Sequence, residues 1–147
     1  MEEECDKCHG KSQTLQTVIL NMPDILVLHM KELRISSDGN MIKLDANLRC
    51  PEFLGICSYC VNCKGSVYEL YAFVQHSGTW QCGHYTCTTK RRHPIEDRQV
   101  WVEFDDDYSI VRNNMSFNID NACLLFFRKV DMPVSSYLDF TNLQYLL

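Results

Sequence analysis

Apolar positions fall mainly in short runs and in alternation, the two patterns of β-strands, with little at helical spacing. Ile25-Leu26-Val27-Leu28 is a continuous apolar run after Pro23-Asp24, the composition of a buried strand. His29, next on that strand, reads as a core residue. The strongest strand is Tyr68 to Gln75, where Tyr68, Leu70, Ala72 and Val74 alternate with Glu69, Tyr71, Phe73 and Gln75. Both sets are largely apolar, which predicts a strand needing cover on both faces and finding little on the second within this chain. Tyr85 to Thr89, Val100 to Phe104 and Ala122 to Phe127 are further strands, rich in aromatic and β-branched residues. Ser36 to Asn40 is a turn around Asp38-Gly39, and Ser116 to Asn121 reads as one helical turn. The pattern predicts an α+β chain, predominantly antiparallel β.

Composition narrows the partners. The 147 residues suffice for one domain. With 19 acidic against 14 basic residues the formal charge is −5, which repels phosphate backbones. No nucleic-acid or membrane partner is therefore expected. The one contrary signal, Lys90-Arg91-Arg92, reads as a solvated loop. No apolar run approaches the roughly 18 residues of a membrane helix, and the acidic start Met1 to Cys5 is no export signal. Nine cysteines, an odd count, then read as reduced thiols in a cytoplasmic or nuclear protein. Cys50, Cys82, Cys87 and Cys123 read as small buried hydrophobes. Residues 131–147, with scattered apolar positions, are expected to form a tail beyond a domain of residues 1–130.

Three local patterns carry chemistry: Tyr68 to Gly78 ending in His76-Ser77-Gly78, then Gly83-His84-Tyr85, then Trp101 to Asp107 with Asp105-Asp106-Asp107. A glycine beside a histidine lets a substrate backbone approach the ring, and a catalytic imidazole needs a carboxylate on its other nitrogen. An antiparallel hairpin with its loop near Pro94, pairing Tyr85 with Phe104, puts His84 opposite Asp105. Opposed Cβ atoms are about 5 Å apart, within side-chain hydrogen-bond reach. A slip of one residue would bring Asp106 in instead.

Taken in order, Tyr-x-Leu-x-Ala-x-x-x-His-Ser-Gly, Gly-His-Tyr, Trp-x-x-Phe-Asp-Asp and Ala122-Cys123-Leu124-Leu125-Phe126-Phe127-Arg128 resemble the C-terminal half of the ubiquitin-specific proteases. Upstream, Cys5-Asp6-Lys7-Cys8 and Met22 to Lys31 resemble that family's second zinc cysteine pair and the strand leading into its palm. The resemblance implies a partial papain-like hand, the second half of the fingers plus the palm, with the helical thumb missing. It implies His84 as general base, Asp105 as its orienting partner and Asp106 as an auxiliary acid. Gly83 and Tyr85 would border the channel for the ubiquitin tail. His76 is either a loop residue near that channel or a surface turn. The implied reaction is thiol hydrolysis after ubiquitin's C-terminal glycine, needing no cofactor.

Two departures matter. None of the nine cysteines sits in the family's Asn-x-Cys-aromatic motif, so the nucleophile is expected from an N-terminal half outside this chain. Glu32-Leu33 stands where the family usually has Arg-Phe. Cys5 and Cys8 have zinc-knuckle spacing, yet tetrahedral zinc takes four ligands. Either a site rebuilt with Cys57, Cys60 and Cys63 holds structural zinc, or the two clusters stay without a shared metal. The functional alternatives are a deubiquitinase part, a non-catalytic ubiquitin-binding module, and a protease for a ubiquitin-like modifier.

Overall fold

A computed structural model describes residues 6–10, 18–44, 47–56, 60–62, 66–113 and 115–131. Cys5, Cys57, Cys63 and most of the expected tail lie outside the described residues. Those described form eleven strands and no helix, in keeping with the dearth of helical periodicity. They are β1 (Ile25–His29), β2 (Leu33–Ile35), β3 (Met41–Lys43), β4 (Asn47–Arg49), β5 (Phe53–Gly55), β6 (Val67–Gly78), β7 (Gly83–Arg92), β8 (Gln99–Asp105), β9 (Tyr108–Arg112), β10 (Asn118–Asp120) and β11 (Ala122–Val130).

Seven strands make the main sheet, in the order β1-β11-β6-β7-β8-β9, with β5 pairing the first part of β6. All the pairings are antiparallel. Strand β5 continues the lane of β7, whose pairing with β6 stops at Ala72. Two small ladders flank the sheet, β2 with β3 across the Asp38-Gly39 turn and β4 with β10. Burial drives this arrangement. Tyr68, Leu70, Leu125 and Phe127 are 0–1% exposed, each contributing about 1.5–3 kcal/mol of transfer free energy.

The alternation along β6 is broken where the sequence pattern is regular. Phe127 pairs with Leu70 and Phe126 with Ala72, so Tyr71 is an extra residue, a β-bulge. The bulge shifts the alternation by one, and Phe73 joins Tyr68 and Leu70 in the core. A second bulge at Cys123 does the same for Ala122 and Leu125 on β11. The chain also covers more of β6 than expected. Val67, Tyr68, Glu69 and Leu70 are all buried, so both faces of that stretch are closed without a partner.

Four further expectations are corrected. Residues 118–120 form strand rather than helix, because Ile119 pairs with Leu48 and is buried to 2% exposure in the core. His29 is exposed: β1 is an edge strand whose Leu26 and Leu28 turn inward, leaving Ile25, Val27 and His29 outside. Lys90-Arg91-Arg92 is the end of β7 and not a loop. Lys90 is largely buried, donating to Glu69 Oε1 at 2.5 Å and Glu52 Oε1 at 2.8 Å beside the Trp101 ring. Cys82 is exposed, whereas Cys50 and Cys123 are buried as expected and Cys87 is intermediate.

Candidate catalytic dyad and adjoining cleft

Strand β7 opens with Gly83-His84-Tyr85 and β8 closes with Asp105, so the sheet carries both side chains to one end. The β7–β8 ladder pairs Cys87 with Phe104 and Lys90 with Trp101, two residues away from the register read from sequence. A shift of two keeps every side chain on its face, so His84 and Asp105 still share one side. His84 Nε2 lies 2.5 Å from Asp105 Oδ1. Asp106 and Asp107 form the two-residue turn into β9, with Asp106 at φ 47°, a left-handed conformation that Asp tolerates. The hydrogen bond to Asp105 holds the His84 pKa above its usual value, helped by the charges of Asp105 and Asp106. With Nε2 engaged, Nδ1 is the ring nitrogen left for a reacting partner.

His76 is neither a loop tip nor a surface turn. It is buried, and its ring stacks on Tyr85 with centroids 4.4 Å apart. A Cβ on Gly83 would collide with that ring, which is the local reason for a glycine before His84. Lys43 Nζ donates to the His76 carbonyl oxygen and lies 3.6 Å from Glu32 Oε2. The departure at Glu32 is thus accommodated by an ion pair between β3 and the segment before β2, while Leu33 stays exposed. His76, Glu32 and Leu33 border a cleft of about 610 Å³ lined also by Trp80, Tyr85, Met30 and Leu124. Sequence reasoning singled out His76 and Tyr85 there but missed Trp80. Trp80 had a signal, a large apolar residue in a Gly-bounded loop, with 48% of its surface exposed.

A family model for ubiquitin carboxyl-terminal hydrolases matches residues 2–127. The chain belongs to the ubiquitin carboxyl-terminal hydrolase family. It is 32% identical over 130 residues to ubiquitin carboxyl-terminal hydrolase 10 of Arabidopsis thaliana, covering 86% of this chain and 14% of that protein. It is 35% identical over 106 residues to ubiquitin carboxyl-terminal hydrolase 13 of Saccharomyces cerevisiae, covering 70% and 14%. Among solved structures, Ubp8 in the SAGA DUB module bound to monoubiquitin aligns with a TM-score of 0.73 at 26% identity. That alignment covers 90% of this chain and 29% of the other. The chain therefore spans a small part of the relatives it matches, and the fold is a partial papain-like hand.

A cysteine hydrolase needs a thiol beside its imidazole, and among the described residues no cysteine is hydrogen-bonded to the His84 ring, whose partner is Asp105. Burial pushes the Cys50 thiol up to about 12 and raises those of Cys87 and Cys123, which keeps them protonated. Cys82 is exposed, but its Sγ lies 3.6 Å from Thr79 Oγ1 in the β6–β7 loop. Donor atoms of His84, Asp105 and Asp106 lie within 4.8 Å of one another, a set that could hold a cation. The 2.5 Å contact argues for a hydrogen bond, since two ligands of one metal sit about 3 Å apart or more.

Proposed function

We propose that this chain supplies the base and the carboxylate of a deubiquitinating cysteine protease acting after the C-terminal glycine of ubiquitin. The observation that carries this reading is the 2.5 Å contact between His84 Nε2 and Asp105 Oδ1 at the open end of the sheet. Asp105 fixes the ring and stabilises the imidazolium, and Nδ1 takes the proton of a thiol. The thiolate attacks the scissile carbonyl, the imidazolium protonates the departing amine, and water then cleaves the thioester. Asp106 adds negative charge beside the ring. His76, Gly83 and Tyr85 line the approach for the ubiquitin tail. The thiol comes from a segment outside this chain, carrying an Asn-x-Cys-aromatic motif. The reduced thiols suit a cytoplasmic or nuclear setting, and no helix among the described residues is long and apolar enough to cross a membrane.

The test uses a ubiquitin–fluorophore substrate. The chain by itself should hydrolyse none, and adding a nucleophile-bearing N-terminal half should restore turnover that His84→Ala abolishes. A ubiquitin vinyl electrophile that labelled one of the nine cysteines stoichiometrically, in a His84-dependent manner, would overturn the assignment of the nucleophile elsewhere. A second reading, a non-catalytic ubiquitin-binding module, is favoured by Trp80 and Tyr85, which are 48% and 61% exposed beside the cleft. Ubiquitin binding without any turnover after complementation would select it.

Structural zinc belongs to the same proposal. A Cβ on Gly10 would sit 3.4 Å from Cys8 Sγ, so the thiol folds back over a residue without a side chain. The parallel bridge between Ile19 and Cys60 brings the second cysteine segment towards the chain that follows Cys8. Structural zinc takes four ligands, which Cys5, Cys8 and Cys60 with Cys57 or Cys63 would supply as thiolates, and zinc there would tie the two cysteine segments together. Native mass spectrometry should find one zinc per chain, lost in Cys8→Ser. Metal-free wild-type protein would remove this part.

A further inference from the structure

The basic run that the catalytic reading leaves unused ends β7 at the far side of the hairpin from His84. From His84 to Arg92 the strand covers about 26 Å. There Lys90, Arg91, Arg92, Arg98 and Arg128 line one concavity of about 380 Å³ with Asp97 and Gln99. Five of the chain's 14 basic residues thus face one small pocket on a molecule of formal charge −5. Their acidic partners are Glu69 and Glu52 behind Lys90 and Arg128, Asp97 on Arg92, and Glu96 on Arg98.

Those partners divide into two kinds. Glu69 is buried and is committed to Lys90 and Arg128. The Arg92–Asp97 pair has side chains 75% and 69% exposed, and Arg98–Glu96 is about half exposed. Exposed pairs of that kind contribute little and exchange readily for an outside carboxylate. Arg91 turns its guanidinium toward Phe104, 6.0 Å from the ring, so Arg92 and Arg98 are the groups open to exchange. Planar guanidinium groups grip carboxylates bidentately.

We propose that this pocket is a docking site for an acidic peptide segment of a partner or substrate protein, remote from the His84–Asp105 dyad. A peptide fits better than nucleic acid, because the pocket takes a few carboxylates whereas the acidic remainder of the surface repels a long polyanion. Asp97 occupies the site in the free chain as an internal competitor.

Fluorescence anisotropy on the whole 147-residue chain tests this, with a fluorescein-labelled octapeptide of alternating Asp and Ser and an Asn-Ser control. The Asp peptide should bind saturably, more weakly as salt rises, and the control should not bind. Arg92→Glu with Arg98→Glu should weaken binding by about tenfold or more. Should circular dichroism show that double variant unfolded, Arg92→Gln with Arg98→Gln should weaken it by a smaller factor. Asp97→Asn should tighten it, which mere structural damage would not do. Unchanged affinity in the folded Arg variants, no saturable binding, or equal binding of an oligothymidylate of the same charge would each overturn the proposal.

Discussion

The two ends of β6 and β7 obey different rules. At one end, Val67 to Leu70 are buried on both faces, and the charged Glu69 there is enclosed by Lys90 and Arg128. At the other, Ser77, Gly78, Gly83, His84 and Tyr85 are exposed, and the polar contacts are between side chains open to water. The first end resists unfolding through apolar burial and paired charge. The second contributes little to stability and keeps a histidine and a carboxylate accessible. Strands that run through both ends let the buried half hold the exposed half in place, so the side chains at the strand ends are positioned by the ladder behind them.

Several measurements would break or sharpen this contrast, beginning with the largest effect. Phe127→Ala, at 1% exposure in the sealed end, should lose about 3–5 kcal/mol in chemical denaturation. A loss comparable to that of a surface substitution would mean the core is elsewhere. Glu69→Gln should cost about 3 kcal/mol, since it takes a carboxylate from the buried Lys90 as well as from the partly exposed Arg128. Burial alone would raise the Glu69 pKa, but hydrogen bonds from Lys90 and Arg128 override it and lower the value. The stability it adds is therefore present above its ordinary pKa and fades as pH falls through the lowered one. That acid-side dependence should vanish in the variant.

Gly83→Ala should act locally, costing about 1–3 kcal/mol, because its Cβ would meet both the His76 ring and the Ser77 carbonyl oxygen. Loss of the ring-current shift from the Tyr85 stack would report it, and an unchanged spectrum would refute the close packing. Asp105→Asn should have the smallest effect on unfolding, as both side chains of the pair are about half exposed. Its effect should be on titration. The His84 pKa, raised in the folded chain, should drop towards 6.5 by NMR. A raised histidine pKa adds stability that is complete below the unfolded value and lost as pH climbs through the folded one, so this base-side slope should flatten in Asp105→Asn. An unmoved His84 titration would separate the two residues.

Much of the dyad was legible along the chain. Glycine before histidine, aromatic strands on either side and a carboxylate at a strand end are local features, and strand parity carries them to one face however the ladder shifts by two. The clusters of aromatic and β-branched residues likewise fix β6, β7, β8 and β11, because such side chains pay little entropy on a pleated surface. What the chain order could not disclose depends on distant partners. The bulge at Tyr71 exists because β6 must present Leu70 and Phe73 to one core made with Ile119, Leu125 and Trp101. Residues 118–120 become strand because Leu48, far upstream, supplies the ladder. His29 lies outside because strand alternation turns it, with Ile25 and Val27, to the face opposite the core-packed Leu26 and Leu28. Lys90 lies inside because Glu52 and Glu69 meet it there, and a buried charge is tolerated where opposite charges complete its hydrogen bonds. Sequence alone determined the local pattern of strands, turns and reactive groups, since those follow from the neighbours of each residue. Only tertiary structure decided burial, register and which charges are paired, since these depend on residues brought together from across the chain.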